Sequence, residues 1–143
     1  MKKTFILFLI MIICFFLTAC ELDPEKGGKP GKTDNVDITI GESAKFTEVE
    51  IKSAMECVLT KFTWTDCELT YLWYDEEKSD NEAKVFSVTF NVKEENMIIL
   101  LSNYNTGAHV NMTLNANSTY SNWMWILIRD SGNSNWRVDD WGY

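Results

Sequence analysis

Residues 122–143 read NWMWILIRDSGNSNWRVDDWGY, and how this stretch folds decides how the chain is built. Trp123 to Arg129 is a run of aromatic and aliphatic residues ending on a charge, the types that fit a pleated surface. Asp130 to Asn135 contains only Asp, Ser, Gly and Asn, the composition of a hairpin connection. Trp136 and Val138 then share a face, while Trp141 falls on the other parity. One extra residue near Asp139 and Asp140, a bulge, brings Trp141 back to that face. The stretch is a two-stranded hairpin, with Trp123 and Trp125 on one side. Because the chain stops at Tyr143, we expect its last strand to belong to the body of the sheet.

Toward the N-terminus the strand signals continue. Met97 to Leu101 is continuously apolar, which predicts a central strand covered on both faces. Phe86, Val88, Phe90 and Val92 alternate with Ser87, Thr89 and Asn91, which predicts a strand with one buried face. Glu94 to Asn96 makes the turn between them. Leu69 to Tyr74 is short and aromatic, and reads as a further strand. Asp75 to Glu82 (DEEKSDNE) is expected to be a solvated acidic loop, because it lacks the glycine and ligand spacing of a calcium loop. Asn105 to Thr119 is a long polar loop carrying the single histidine, His109, with room for a short strand at Val110–Leu114. Val36, Ile38 and Ile40 suit a short edge strand that Gly41 ends.

One helix announces its own start. Thr47 and Glu50 have the spacing of a capping box, and Phe46 and Ile51 that of a hydrophobic staple. Glu48 and Glu50 favour the positive end of the helix dipole. Ile51, Ala54, Met55, Val58, Leu59 and Phe62 recur every three or four residues, so a helix is expected over 48–62.

Glu21 to Asn35 (ELDPEKGGKPGKTDN) holds both prolines and three glycines and shows no apolar period, so it reads as a tether. Before it, Met1-Lys2-Lys3 is basic, Phe5 to Leu17 is apolar throughout, and Leu17-Thr18-Ala19-Cys20 follows. A basic start, a short apolar run and small residues make a signal peptide, since a spanning helix needs about 20 apolar residues. Leu17 to Cys20 also resembles the lipobox of bacterial lipoproteins. That resemblance implies diacylglycerol on the Cys20 thiol, cleavage after Ala19, and an acylated chain held on the outer face of a membrane. The expected layout is a signal peptide over 1–19, a lipidated cysteine and tether over 20–35, and one domain over 36–143.

Without Lys2 and Lys3 the mature chain has 11 basic and 21 acidic residues, a formal charge of −10. This argues against a nucleic-acid partner and against lying flat on an anionic membrane. Attachment is expected through lipid on Cys20, where two acyl chains hold stably. Cys57 and Cys67 are the thiols left in the domain. Cys57 lies off the helical stripe, and a bridge between the two is the natural pairing in an oxidising compartment. Two unpaired cysteines or a redox pair are the alternatives. No histidine stands near them to make a metal site.

The segment CVLTKFTWTDCELTYLWYDEEKS (57–79), with residues 122–143, is similar to uncharacterised bacterial lipoproteins with a nuclear transport factor 2-like domain. The resemblance implies an α+β fold: one amphipathic helix packed on a curved antiparallel sheet of about five strands, a cystatin-like cone. It also implies a cavity at the wide end that holds a small molecule, holds an acid–base pair, or is filled by side chains.

Candidate chemistry is sparse. No nucleophile elbow and no glycine-rich phosphate cradle is present, and nothing calls for a cofactor or a metal ion. Asp139 and Asp140 are candidate bases, with Arg129 and Arg137 as electrophiles, although a cross-strand ion pair is the plainer reading. Trp123 and Trp125 are either core or a platform for a sugar or peptide. The leading expectation is a non-enzymatic ligand- or protein-binding module, alone or as a homodimer. The alternatives are a small-molecule enzyme using the cone cavity and an accessory subunit of an envelope complex.

Overall fold

The computed structural model describes residues 28–143 apart from Met112. The signal segment, Cys20 and the first part of the tether lie outside the described residues. The elements are β1 (Asp37–Ile40), α1 (Glu48–Lys61), β2 (Cys67–Tyr74), α2 (Glu76–Phe90), a 3-10 turn (Glu94–Asn96), β3 (Met97–Thr106), β4 (Thr119–Ile128) and β5 (Arg137–Gly142). The fold is α+β, with two helices on one open sheet of strand order β1-β2-β3-β4-β5.

The start of α1 is as the sequence predicts. The Thr47 hydroxyl accepts from the Glu50 N–H at 3.3 Å, and the Glu50 carboxylate accepts from the Thr47 N–H at 2.8 Å. Ile51, Ala54, Met55 and Val58 are its buried stripe. The sheet is mixed rather than wholly antiparallel, because β1 runs parallel to β2. Parallel neighbours need a crossover rather than a hairpin, and α1 is that crossover. The other three pairings are antiparallel, as expected.

The expected acidic loop and the strand after it are instead one helix, α2. Asp75 is its N-cap, its carboxylate accepting from the Lys78 N–H at 2.8 Å, and Asn91 ends it in the left-handed region at φ 52°. Glu76 and Glu77 occupy the first turn, and Lys78 pairs with Glu82 one turn on. Phe86 and Phe90 satisfy period two and also the four-residue helical spacing, and with buried Ala83 they line the inner face. Val88, which the strand reading buried with them, is 82% exposed.

This second helix explains why β3 is apolar on both sides. Ile98, Leu100 and Tyr104 of β3 face α1 together with Trp125 and Leu127 of β4. Met97, Ile99, Leu101, Met124, Ile126 and Ile128 face α2 and Ala83. The helix also completes the ladder where β2 has ended, since buried Ser79 accepts from the Ile99 N–H at 3.0 Å.

Three bulges keep the rings on the α1 side. The registers show one extra residue on β2 at Thr70, one on β4 between Tyr120 and Trp123, and one on β5 at Asp139. Each changes the parity, so Leu69, Tyr120 and Trp141 join Leu72, Trp123 and Val138 on one face. The bulge expected near Asp139 and Asp140 is there. The last strand, however, is a sheet edge: β5 pairs only with β4, and Arg137, Asp139 and Asp140 are exposed. Val110 and Leu114 form no strand and pack instead against the α1-side core. Within the predicted tether, Lys32 forms a parallel bridge to Glu68, with its N–H donating to the Cys67 carbonyl at 2.9 Å. The ordered body of the protein therefore reaches back at least to Lys29, whose carbonyl accepts from the Asp66 N–H.

Candidate functional site

The space between α1 and the sheet is filled with rings. Trp64 stacks on Trp125 at 5.2 Å between centroids, Phe62 packs on Trp64 at 5.0 Å, and Tyr104 meets Trp64 edge-on at 5.3 Å. Trp125 is wholly buried, and its indole N–H donates to the Ser102 hydroxyl at 2.8 Å. Of the two tryptophans expected to share a face, Trp125 is thus core. Trp123 is half-buried at the rim of the same cluster.

The acid–base candidates are not brought together. Arg129 is buried, and one terminal nitrogen donates to the Glu50 carboxylate of α1 at 2.6 Å. The other donates to the Glu95 carbonyl at 3.2 Å, and the guanidinium lies 4.3 Å from the Trp136 ring centroid. Arg129 therefore clamps the end of β4 to the start of α1. The Thr47 N–H, and after it Arg129, hold the Glu50 carboxyl below the usual range. Arg137 pairs with Asp130 at 2.8 Å, and both are exposed. Asp139 is the bulge residue, and Asp140 accepts from the N–H of Trp141 at 2.8 Å. Surface pairs of this kind contribute little.

The expected Cys57–Cys67 bridge is absent, and both thiols are free. Cys57 faces β5 and donates to the Trp136 carbonyl at 3.2 Å, whereas Cys67 is buried at the start of β2 and donates to the Thr65 carbonyl at 3.6 Å. Different neighbours have claimed the two side chains. Burial raises both thiols, Cys67 to about 11. His109 is exposed, and its N–H donates to the Asp66 carboxylate at 2.8 Å. Among the described residues no group of three or more His, Cys, Asp or Glu is placed to hold a metal ion.

The structure assembles a group of rings of which the sequence reading singled out only Trp123. At the far end of β3 and β4, Tyr120 lies flat on Tyr104, with centroids 4.9 Å apart and planes 4° from parallel. Trp123 meets Tyr104 edge-on at 5.5 Å and Tyr143 at 4.9 Å. The Tyr104 hydroxyl and the Trp123 indole nitrogen are both buried with no hydrogen-bond partner. Burial pushes the Tyr104 phenol far up, so it stays neutral. Tyr104 and Tyr120 flank the predicted polar loop of 105–119, just outside the stretches read as strands. Only the β4 bulge puts their rings on one face.

No model of a known protein family, no curated protein and no solved structure matches the chain.

Proposed function

We propose that the protein is an extracytoplasmic lipoprotein, held through lipid on Cys20, whose domain is a non-enzymatic binding module. The observation that carries this is the closed interior. Rings occupy the place where a cone-fold enzyme keeps its cavity, and the acidic candidates stand on an exposed edge, apart from Arg129. The tether sequence and the net charge of the mature chain also suit a domain displayed off the membrane surface. Among the described residues no helix is long and apolar enough to cross a membrane. For the finer fold we propose the cystatin-like cone for α1 and the strands β2 to β5 around it, with α2 added on the opposite face.

Two measurements test this reading. Cells fed an alkynyl fatty acid should label the wild-type protein, and Cys20→Ser should lose the label and leave the membrane fraction. A photo-crosslinking residue at Tyr143 should capture a discrete partner on cells, while one at Glu77 on α2 should not. Equal labelling of Cys20→Ser, or no capture from either position, overturns the proposal.

A further inference from the structure

We propose that the rings Tyr120, Trp123 and Tyr143, lying over Tyr104, form a recognition site for a neutral saccharide. This deepens the binding-module reading and rests on it.

The first observation is the pair of orphaned polar atoms. Tyr104 is fully buried, and its hydroxyl has no partner. The indole N–H of Trp123, on a ring 5.5 Å away, has none either. Native proteins leave few such groups, so each one needs an explanation. The two orphans lie in the same group of rings. Trp125, on the same strand as Trp123, has its N–H satisfied by Ser102, and the third such atom among the described residues, Nε of Arg129, lies apart from these rings at the start of α1.

The second observation is the charge pattern. From Met97 to Ile128 there is no Asp, Glu, Lys or Arg, in a chain where these make up 24% of residues. Ser, Thr and Asn take their place between Ser102 and Asn122. A site for an anionic or cationic ligand would need an opposite charge that this segment lacks.

The third observation is access. Tyr143 is 71% exposed and stacks against Tyr120 at 6.3 Å. Tyr120 covers Tyr104 and is held by the N–H of Asn115, which donates to its hydroxyl at 2.8 Å. Asn103 and Asn105, on the opposite face of β3, hold the bulged strand in place by accepting from Asn122 and Thr119. The result is an aromatic floor on two strands, β3 and β4, that carry no charged side chain. A pyranose presents a C–H face that packs on such rings and hydroxyl oxygens at its edge. Those oxygens accept from the Trp123 N–H, and they accept from or donate to the Tyr104 hydroxyl. Reaching Tyr104 requires Tyr120 to tilt away from it.

The test uses the mature chain carrying Cys20→Ser, titrated with cellohexaose, maltohexaose, chitohexaose and mannohexaose by calorimetry and tryptophan fluorescence. At least one should bind saturably and perturb the fluorescence. Tyr143→Ala, at an exposed position that the fold does not need, should weaken it about tenfold or more. Tyr104→Phe should weaken it several-fold, and Val88→Ala on α2 should leave it unchanged. Absence of binding by all of these sugars up to millimolar concentration overturns the inference. So does binding that ignores Tyr143→Ala, or a crystal structure in which a water joins Tyr104 to Trp123 and stays when sugar is added. If no sugar binds but the crosslink at Tyr143 persists, the saccharide is wrong and the binding module stands. If both fail, both readings fall.

Discussion

Replacing Tyr104 by Phe removes one oxygen atom from the middle of the fold. In the native protein that hydroxyl is buried without a partner, and in the unfolded chain water satisfies it. Leaving a buried donor and acceptor unsatisfied costs about 1–3 kcal/mol. The gap left by the missing atom forfeits a handful of dispersion contacts, about 0.1–0.2 kcal/mol each. The net expectation is a gain of about 0.5–2 kcal/mol. Residues 28–143 number 116, and at about 2.1 cal/mol/K per residue the entropy of unfolding is about 0.24 kcal/mol/K. Each kcal/mol then moves the midpoint by about 4 °C, so Tm should rise by roughly 2–8 °C. Urea unfolding should show a higher midpoint with an unchanged slope. A second readout comes from alkaline pH. Burial raises the folded phenol above its ordinary 10.0, so its contribution is fully present below pH 10. It is lost as pH rises and the unfolded chain gives up the proton. Tyr104→Phe should lack this part of the alkaline loss. A destabilisation of 1 kcal/mol or more would refute the reasoning, because it would mean that the hydroxyl has a partner in the free protein.

Three further outcomes are expected. Glu50→Gln leaves the buried Arg129 guanidinium uncompensated and should cost about 2–3 kcal/mol in urea, less than a fully buried pair because Glu50 is partly exposed. The Glu50 carboxyl is lowered in the fold, so its stabilisation is present above its unfolded pKa and lost as pH falls through the folded one. The variant should show a shallower acid limb, and a cost below about 0.5 kcal/mol would exclude the clamp. On α2, Val88→Ala should be neutral or stabilising by roughly 0.5 kcal/mol, whereas Ala83→Leu should cost about 1–3 kcal/mol by overpacking. Thermal melts showing the reverse order would restore the strand reading. Intact mass of the protein purified from the cell envelope without reductant should correspond to two free thiols, and both should react slowly at neutral pH because burial raises them. A mass two hydrogens lighter would show the bridge after all.

How legible each part was depends on how local its cause is. The capping box at Thr47 and Glu50 is a contact across three residues, so its pattern could be read directly. The bulge at Asp139 was legible because Trp136, Val138 and Trp141 could share a face in no other way. The α2 helix was not, because Phe86 and Phe90 satisfy two periods at once. The decisive fact was elsewhere: a β3 strand apolar on both faces needs a cover on each side. The candidate site was less legible still. Arg129, Asp139 and Asp140 lie within twelve residues and suggested one constellation. The structure gives Arg129 to Glu50, from a helix 79 positions earlier.

By itself the sequence determined the elements whose signals are local: the start of α1, the closing hairpin, the central apolar strand, the acidic balance and the charge-free segment from Met97 to Ile128. Those are properties of neighbouring residues and of composition, and no tertiary contact is needed to state them. Only the tertiary structure decided that 76–90 is a helix, that β1 runs parallel, that Cys57 and Cys67 face different neighbours, and that Tyr104 and Trp123 share an environment with no partner for either. Each of these depends on which distant group reaches a side chain first. Three bulges set that outcome, because a single extra residue moves every following side chain to the other face of its sheet.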